Sequence, residues 1–381
     1  MRLVVDGEIW QRQAAGGISR LYNEVLPRLC NLAPDLRITL ITDGALKQPP
    51  PAHAAITPRA MPAYQKLLRP GRLWRRQIMR LKRVTRDRWT QPIRSTIWQA
   101  TYYTPPPAWP GRFAVVVHDL IEERYPQFFD QPRHEDVRRS KRDCVHASDL
   151  VICNSVTTRQ DVCDFFGIAA SKTRLVTLAA SPDFRRLAPN EVSASPSAPP
   201  VPYVLYVGDR SAYKNFEFLL RGYASWSGRD DVSLVVVGPK FTPQELALIA
   251  SLGVTERVSS YVNIDDEALC RFYNQAQAFV YPSLYEGFGI PLLEAMACGC
   301  PLVASAIPTT RDVAGDIPFY FEPTDAAGLQ AALSAALAAP PGDAGRAERI
   351  RAGIERAGAF SWDATAGQFL AIYRELEAWA T

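Results

Sequence analysis

The sequence predicts an α/β protein of two doubly wound domains, each a parallel sheet with helices on both faces. Three observations carry this. Short, continuous Val/Ile/Leu runs alternate with segments of helical periodicity along the chain, as expected for strands buried on both faces. The pattern breaks once, at RRLAPNEVSASPSAPPVP (185–202), where Pro, Ser and Ala leave no period, and then restarts. The length, 381 residues, exceeds one ordinary core and suits two.

In the first half LVVD (3–6), LRITLIT (36–42), FAVVVHD (113–119) and LVICNS (150–155) read as buried strands. Between them ISRLYNEVLPRLC (18–30) and VTTRQDVCDFFG (156–167) have helical spacing. After the break, YVLYVG (203–208), SLVVVG (233–238), VSSYVN (258–263), AFVYPS (278–283) and LVAS (302–305) are strands with helices between. The expected domains are therefore 1–184 and 203–360, with 185–202 as linker. Ligands of such sheets bind beyond the carboxyl ends of the strands, and two such edges could face each other across a cleft.

Composition excludes several classes. No run approaches the ~18 apolar residues of a membrane helix. The start, MRLVVDGEIW, meets Asp6 and Glu8 at once and lacks the apolar core of a signal peptide. Seven scattered cysteines form no CxxC pair and read as reduced core thiols. The four histidines form no ligand pair at helical spacing, so no metal site is expected. A cytoplasmic location is the expectation.

Motifs sit at the strand ends. Gly16-Gly17 directly precede a helix, where tandem glycines let the backbone approach a ligand under an anion-favouring N-terminus. The same pair also suits a plain turn, and it is not GxGxxG, which weakens a nicotinamide dinucleotide reading. His118-Asp119 ends the strand FAVVVHD, either facing a ligand or as a satisfied edge histidine. In YVGDRSAYKN (206–215), Arg210 and Lys214 follow a strand; such a cation pair suits a diphosphate, or is a solvated basic loop.

The stretch EGFGIPLLE (286–294) joins strand AFVYPS to a short helix that stops at Gly299. Pro291 suits the first position of that helix, because it has no N–H to leave unbonded there. Glu286 then lies in the loop, and Glu294 at the end of the first helical turn. Gly287 and Gly289 let backbone amides turn inward, and the free N–H groups of the helix start suit a phosphate. A carboxylate beside phosphate is repelled, so the two acids are expected to accept hydrogen bonds from sugar hydroxyls. As metal ligands they lack oxygen partners at suitable spacing.

EGFGIPLLEAMACGCPLV resembles the Glu-x7-Glu signature of retaining GT-B glycosyltransferases of family 4. GGISRLYNEVL, VVVHDLIEERYP, ICNSVTTRQDVCDFFGI and YVGDRSAYKNFEFLL resemble the companion blocks in the same order. The VHD and YKN variants look most like bacterial mannosyltransferases of surface-polysaccharide assembly. The resemblance runs to FSWDATAGQFLAIYREL and implies that a C-terminal helix, 361–381, packs back on the first domain.

It also implies roles. Gly16 and Gly17 match the glycine loop near donor phosphate and acceptor, and His118 the histidine near the reacting centre. Arg210 and Lys214 match the pair that neutralises the diphosphate. Glu286 matches the acid on the donor hexose, and the amides around Phe288, Gly289 and Ile290 those that hold hexose and phosphate. Glu294 matches the acid on ribose, and Val262 the backbone contact to the base. Ile307–Asp312 departs from the family pattern, with Asp312 at the position of its Glu.

The implied chemistry is transfer of a hexose from a nucleoside diphosphate sugar, GDP-mannose foremost, with retention, without metal or other cofactor. Asp265-Asp266, the nearest acidic pair, reads as a helix cap instead of an Asp-x-Asp motif. Two alternatives stand beside it: a same-fold enzyme using another GDP- or UDP-sugar, and a catalytically silent nucleotide-sugar-binding subunit.

Charge is unevenly spread. Residues 66–94 hold eleven Lys/Arg against one acid, a net +10, which leaves −6 on the rest of a chain totalling +4. Trp74, Ile78 and Leu81 fall on one helical face among these cations. The pattern fits a helix lying on an anionic membrane, near a lipid-linked glycan acceptor, or one packing its apolar stripe on the domain. Without a base-reading motif, nucleic acid is not expected as a partner.

Overall fold

The computed structural model describes residues 1–14, 16–43, 46–61, 97–106, 109–192, 202–340 and 342–379. The basic segment 66–94 and residues 193–201 of the expected linker lie outside them. The chain divides into two units, Met1–Leu178 with Trp362–Thr381, and Ala179–Ser361.

The first unit is built on β1 (Arg2–Asp6), β2 (Arg37–Asp43), β3 (Ile56–Met61), β4 (Ile97–Ala100), β5 (Arg112–Val117), β6 (Leu150–Cys153) and β7 (Thr173–Leu175). These strands are parallel throughout, in the order β3-β2-β1-β4-β5-β6-β7. Leu3, Val4 and Val5 of β1 are fully buried, as central strands covered on both faces require. Helix Gly17–Leu32 buries Leu21, Tyr22, Val25, Leu26 and Leu29, one stripe at the 3.6-residue period.

Against that helix packs the C-terminal helix Trp362–Ala378, through Phe369, Tyr373 and Leu376 among others. Arg28 Nε donates to Asp363 at 2.9 Å, and Arg174 Nε to Glu375 at 2.9 Å. Tyr373 Oη donates to Gln99 Oε1 at 2.9 Å inside the core, so the last helix is bonded to the middle strand β4.

The second unit holds β8 (Tyr203–Val207), β9 (Ser233–Val237), β10 (Val258–Tyr261), β11 (Ala278–Tyr281), β12 (Leu302–Ser305) and β13 (Phe319–Phe321). All pair in parallel, in the order β10-β9-β8-β11-β12-β13. In each sheet the order reverses once, between β1 and β4 and between β8 and β11. Loops leaving such a reversal part to opposite faces and open a crevice for ligands.

Four strands carry no sequence signal of a buried run. Three lie at sheet edges: β3 (ITPRAM) holds a proline and an arginine, and β7 (TRL) and β13 (FYF) span three residues each. An edge strand needs neither two buried faces nor every ladder hydrogen bond. The fourth, β4 (IWQA), is central but short, and its Gln99 interrupts the apolar pattern because it serves Tyr373 and, through Nε2, the Ala100 carbonyl at 2.7 Å. Among the described residues, no helix is long and apolar enough to cross a membrane.

Tyr373→Phe removes the donor to Gln99 and strands a buried carbonyl oxygen. The expected loss is about 1–3 kcal/mol, read as a lower denaturant midpoint for the first unit with an unchanged slope. An unaltered midpoint would show that the helix docks without this bond.

Candidate functional site

At the reversal of the second sheet, two loops meet: the one after β8 and the one after β11. Lys214 Nζ donates to Glu286 Oε1 at 2.7 Å, and Ser283 Oγ donates to the same oxygen at 2.6 Å. Both partners of the ion pair are largely buried, Lys214 at 18% and Glu286 at 10% side-chain exposure, so each depends on the other for charge compensation. Thr309 Oγ1 donates to the Glu286 carbonyl at 2.7 Å and fixes its main chain. The segment 307–312 that departs from the family pattern thus supports the acid from behind.

Asn215 sets the lysine's approach. Its φ of 58° lies in the left-handed region that asparagine tolerates. Its Nδ2 donates to the Pro282 carbonyl at 3.1 Å and to the Pro323 carbonyl at 2.8 Å. Leu284 N donates to the Tyr213 carbonyl at 2.8 Å. The loops after β8, β11 and β13 are tied together at this point. Beside them, burial and the charge of Glu286 hold the Tyr281 phenol well above its ordinary pKa, so it stays protonated.

Helix Ile290–Ala297 begins at Gly289, whose φ of 107° excludes a residue with a side chain, and no side chain caps its first amides. Pro291 stands at its second position, one later than expected, because Ile290 already has helical geometry. Glu294 therefore falls just beyond the first turn, buried, where it accepts from Tyr273 Oη at 3.1 Å. Burial and Glu294 push the Tyr273 phenol well up, which keeps it a donor. The two acids of EGFGIPLLE are held by different partners, Glu286 by Lys214 and Ser283, Glu294 by Tyr273. Gly287 and Phe288 are buried in the connecting loop, with the Phe288 ring against Phe360 at 6.0 Å.

Arg210 departs from expectation. Its guanidinium is turned into the wall of the unit, with 5% side-chain exposure, and pairs with Glu245. Nη1 donates to the Pro239 carbonyl at 2.8 Å, and Nη2 to Lys240 O at 2.7 Å and to Glu245 at 3.2 Å. Breaking a buried pair of this kind leaves a charge uncompensated, at a cost of about 3–5 kcal/mol. The physical reason is the acid that TPQE supplies: Glu245 closes a capping box with Thr242 and offers its carboxylate to the arginine.

Val262 follows β10, the edge strand, and is separated from the loop after β8 by β9. Asp265 caps helix Asp266–Gln275 by accepting from Ala268 N at 2.8 Å, as its sequence position indicates.

The remaining expected residues belong to the first unit. Gly16 caps helix Gly17–Leu32 and both glycines are exposed. His118 follows β5 and is buried, with no hydrogen-bond partner for Nε2 among the described residues. Burial drives its pKa down to about 4, helped by the charge of Lys141 and opposed by Asp119, so the ring is neutral near pH 7. Asn154 Nδ2 donates to the His118 carbonyl at 2.9 Å, and Lys141 Nζ to the Asp119 carbonyl at 3.2 Å, which fix the turn that carries the ring.

Sequence reading gave no role to Ser283, Thr309, Tyr273, Asn215, Glu245, Asn154 or Lys141. Glu245 had a local signal, the capping box, and Ser283 stands three residues before Glu286; the others act across long sequence separations that spacing does not reveal.

Residues 189–355 match the family described as glycosyl transferases group 1. O-antigen chain mannosyltransferase B of Escherichia coli is 28% identical over 272 residues, covering 70% of this chain and 71% of that protein. Among solved structures, the sucrose-phosphate synthase of Thermosynechococcus elongatus superposes with a TM-score of 0.77 at 21% identity, covering 99% of each chain. Anabaena HepE in complex with UDP and glucose gives 0.69 at 16% identity, over 98% of this chain and 100% of that one. Two parallel sheets, alike in strand order except for one further edge strand in the first, and these structural neighbours give the chain a GT-B fold, and its second unit carries a glycosyl transferases group 1 domain.

Proposed function

We propose that the protein moves a hexose, mannose foremost, from a nucleoside diphosphate sugar to a hydroxyl of a glycan acceptor in bacterial surface-polysaccharide assembly, whether O-antigen, capsule or exopolysaccharide. The observation that carries this is the Lys214–Glu286 pair at the strand-order reversal, beside the uncapped start of helix Ile290–Ala297. A cation beside the positive end of a helix suits a diphosphate, while an acid held on one side by Lys214 and Ser283 keeps lone pairs for hexose hydroxyls. Glu294, held by Tyr273, is assigned to ribose. The mannose assignment draws on the Escherichia coli mannosyltransferase named above, and a lipid-linked acceptor on the basic segment 66–94.

In the proposed reaction the acceptor oxygen bonds to the anomeric carbon as the bond from that carbon to the diphosphate breaks. The acceptor proton passes to the departing phosphate oxygen on the same face, so configuration is retained. Lys214 and the positive end of the helix stabilise the charge that grows on the diphosphate, and no metal is required for that task. Neutral His118 offers Nε2 to a hexose hydroxyl.

Screening nucleotide sugars by thermal shift tests the donor: GDP and GDP-mannose are expected to raise the unfolding temperature. Stabilisation by UDP-sugars alone would discard mannose, and binding without turnover across an acceptor panel would favour a silent subunit. Glu294→Gln should weaken free nucleoside diphosphate by about tenfold, the scale of one charge-assisted hydrogen bond, whereas Glu286→Gln should chiefly lower kcat. The opposite pattern of affinities would refute the assignment of the two acids.

His118 gives a pH prediction. Its pKa is about 4 in the fold, against 6.5 for the unperturbed ring, so the unfolded chain takes up the proton first as pH falls. The stability it contributes is present above about pH 6.5 and is lost towards pH 4. His118→Gln should flatten the stability of the first unit over that window; an identical slope would mean that the histidine is not held neutral.

A further inference from the structure

We infer that Arg210 is a positioning residue, locked by Glu245 to shape the loop after β8, and that Lys214 is the side chain that meets the donor diphosphate. The inference rests on the donor site proposed above and divides the work of its two cations. Arg210 makes four hydrogen bonds, two to Glu245 and one each to the carbonyls of Pro239 and Lys240. Its guanidinium also lies over the Phe241 ring at 5.0 Å and the Phe216 ring at 5.7 Å. A phosphate reaching it would have to displace a carboxylate and two carbonyls and unstack it from two aromatic faces.

Glu245 is itself fixed. It accepts from Thr242 N at 2.6 Å while Thr242 Oγ1 accepts from Glu245 N at 3.2 Å. Burial pushes its carboxyl upward, but the hydrogen bonds from Arg210 and Thr242 outweigh this and hold it below the usual carboxylate range. Under the arginine the two loops touch: a Cβ at Gly238 would stand 2.2 Å from the Gly208 carbonyl oxygen and 3.5 Å from Arg210 Nη1. Arg210 therefore joins the loop after β8, the loop after β9 and the cap of helix Pro243–Ser251.

Lys214 has the contrary character. Its ammonium has three donors, of which one is engaged among the described residues, by Glu286, and it is more exposed than Arg210, at 18% against 5%. It ends the same loop that Arg210 starts. Arginine at the root of the loop fixes it, and lysine at its far end, aimed by Asn215, is the cation left for a ligand.

Calorimetric affinities for a nucleoside monophosphate and its diphosphate, together with thermal unfolding, separate the roles. In Lys214→Gln the preference for diphosphate is expected to fall by about tenfold or more, the worth of a charge-assisted hydrogen bond, and the unfolding midpoint to fall as well, because buried Glu286 loses its partner; the preference is therefore the readout that separates the two cations. Arg210→Gln and Glu245→Gln should keep that preference and lower the midpoint, and the double variant should lower it no further than the worse single. Loss of the preference in Arg210→Gln with the midpoint unchanged would overturn the inference. So would additive midpoint losses in the double variant, a readout that needs no donor. If the wild-type protein prefers neither nucleotide, the donor reading fails, and the unfolding cycle alone decides whether Arg210 and Glu245 act as one unit. Glu245→Gln retains acceptor and donor atoms at the cap and serves if Arg210→Gln does not fold.

Discussion

Glu286 is an acid taken out of water, and much of the second unit is arranged to make that tolerable. A buried carboxylate is costly unless its charge and lone pairs are answered. Lys214 answers the charge and Ser283 a lone pair, while Thr309 holds the main chain. Each helper arrives from a different place: the loop after β8, the loop after β11, and the helix Pro308–Ala314 after β12. Those places adjoin only because the strand order reverses between β8 and β11 and β12 follows directly. The parallel sheet, its glycine-bearing edges and the short uncapped helix are the frame that holds one ion pair in place.

The same logic explains why two cations in one loop have different fates. A guanidinium offers a planar fork and is less strongly hydrated than an ammonium, so it is the better buried stitch. Lysine carries a compact charge on a flexible stem that can exchange partners. Arg210 is surrounded by carbonyls, a carboxylate and rings, whereas Lys214 has one acid and two neighbouring tyrosine rings.

Much of this was legible in the sequence. Continuous apolar runs located the central strands β1, β5, β6, β8, β9 and β11, because burial on both faces leaves a pattern. The edge strands β3, β7 and β13 were not legible, since an edge tolerates Pro, Arg and brevity. The order of the Gly-Pro turn and its flanking acids along the chain indicated which acid lay in the loop and which on the helix. What could not be read was partnership. Nothing in EALCRFY marks Tyr273 as the donor to Glu294, and nothing in YVGDRSAYKN says that its arginine is claimed by Glu245. Such pairings depend on strand order, which local spacing does not encode.

Asn215 shows how narrow such a design is in chemical space. The position demands a left-handed backbone and, from the same side chain, an amide whose hydrogens reach two carbonyls in different loops. Glycine would satisfy the backbone and leave both carbonyls unbonded. Aspartate would keep the length and turn a negative charge towards two acceptors. Glutamine would keep the amide but lose the backbone tolerance. One side chain among twenty meets both demands, so the loop's geometry is written into the identity of a residue that is assigned no contact with the ligand.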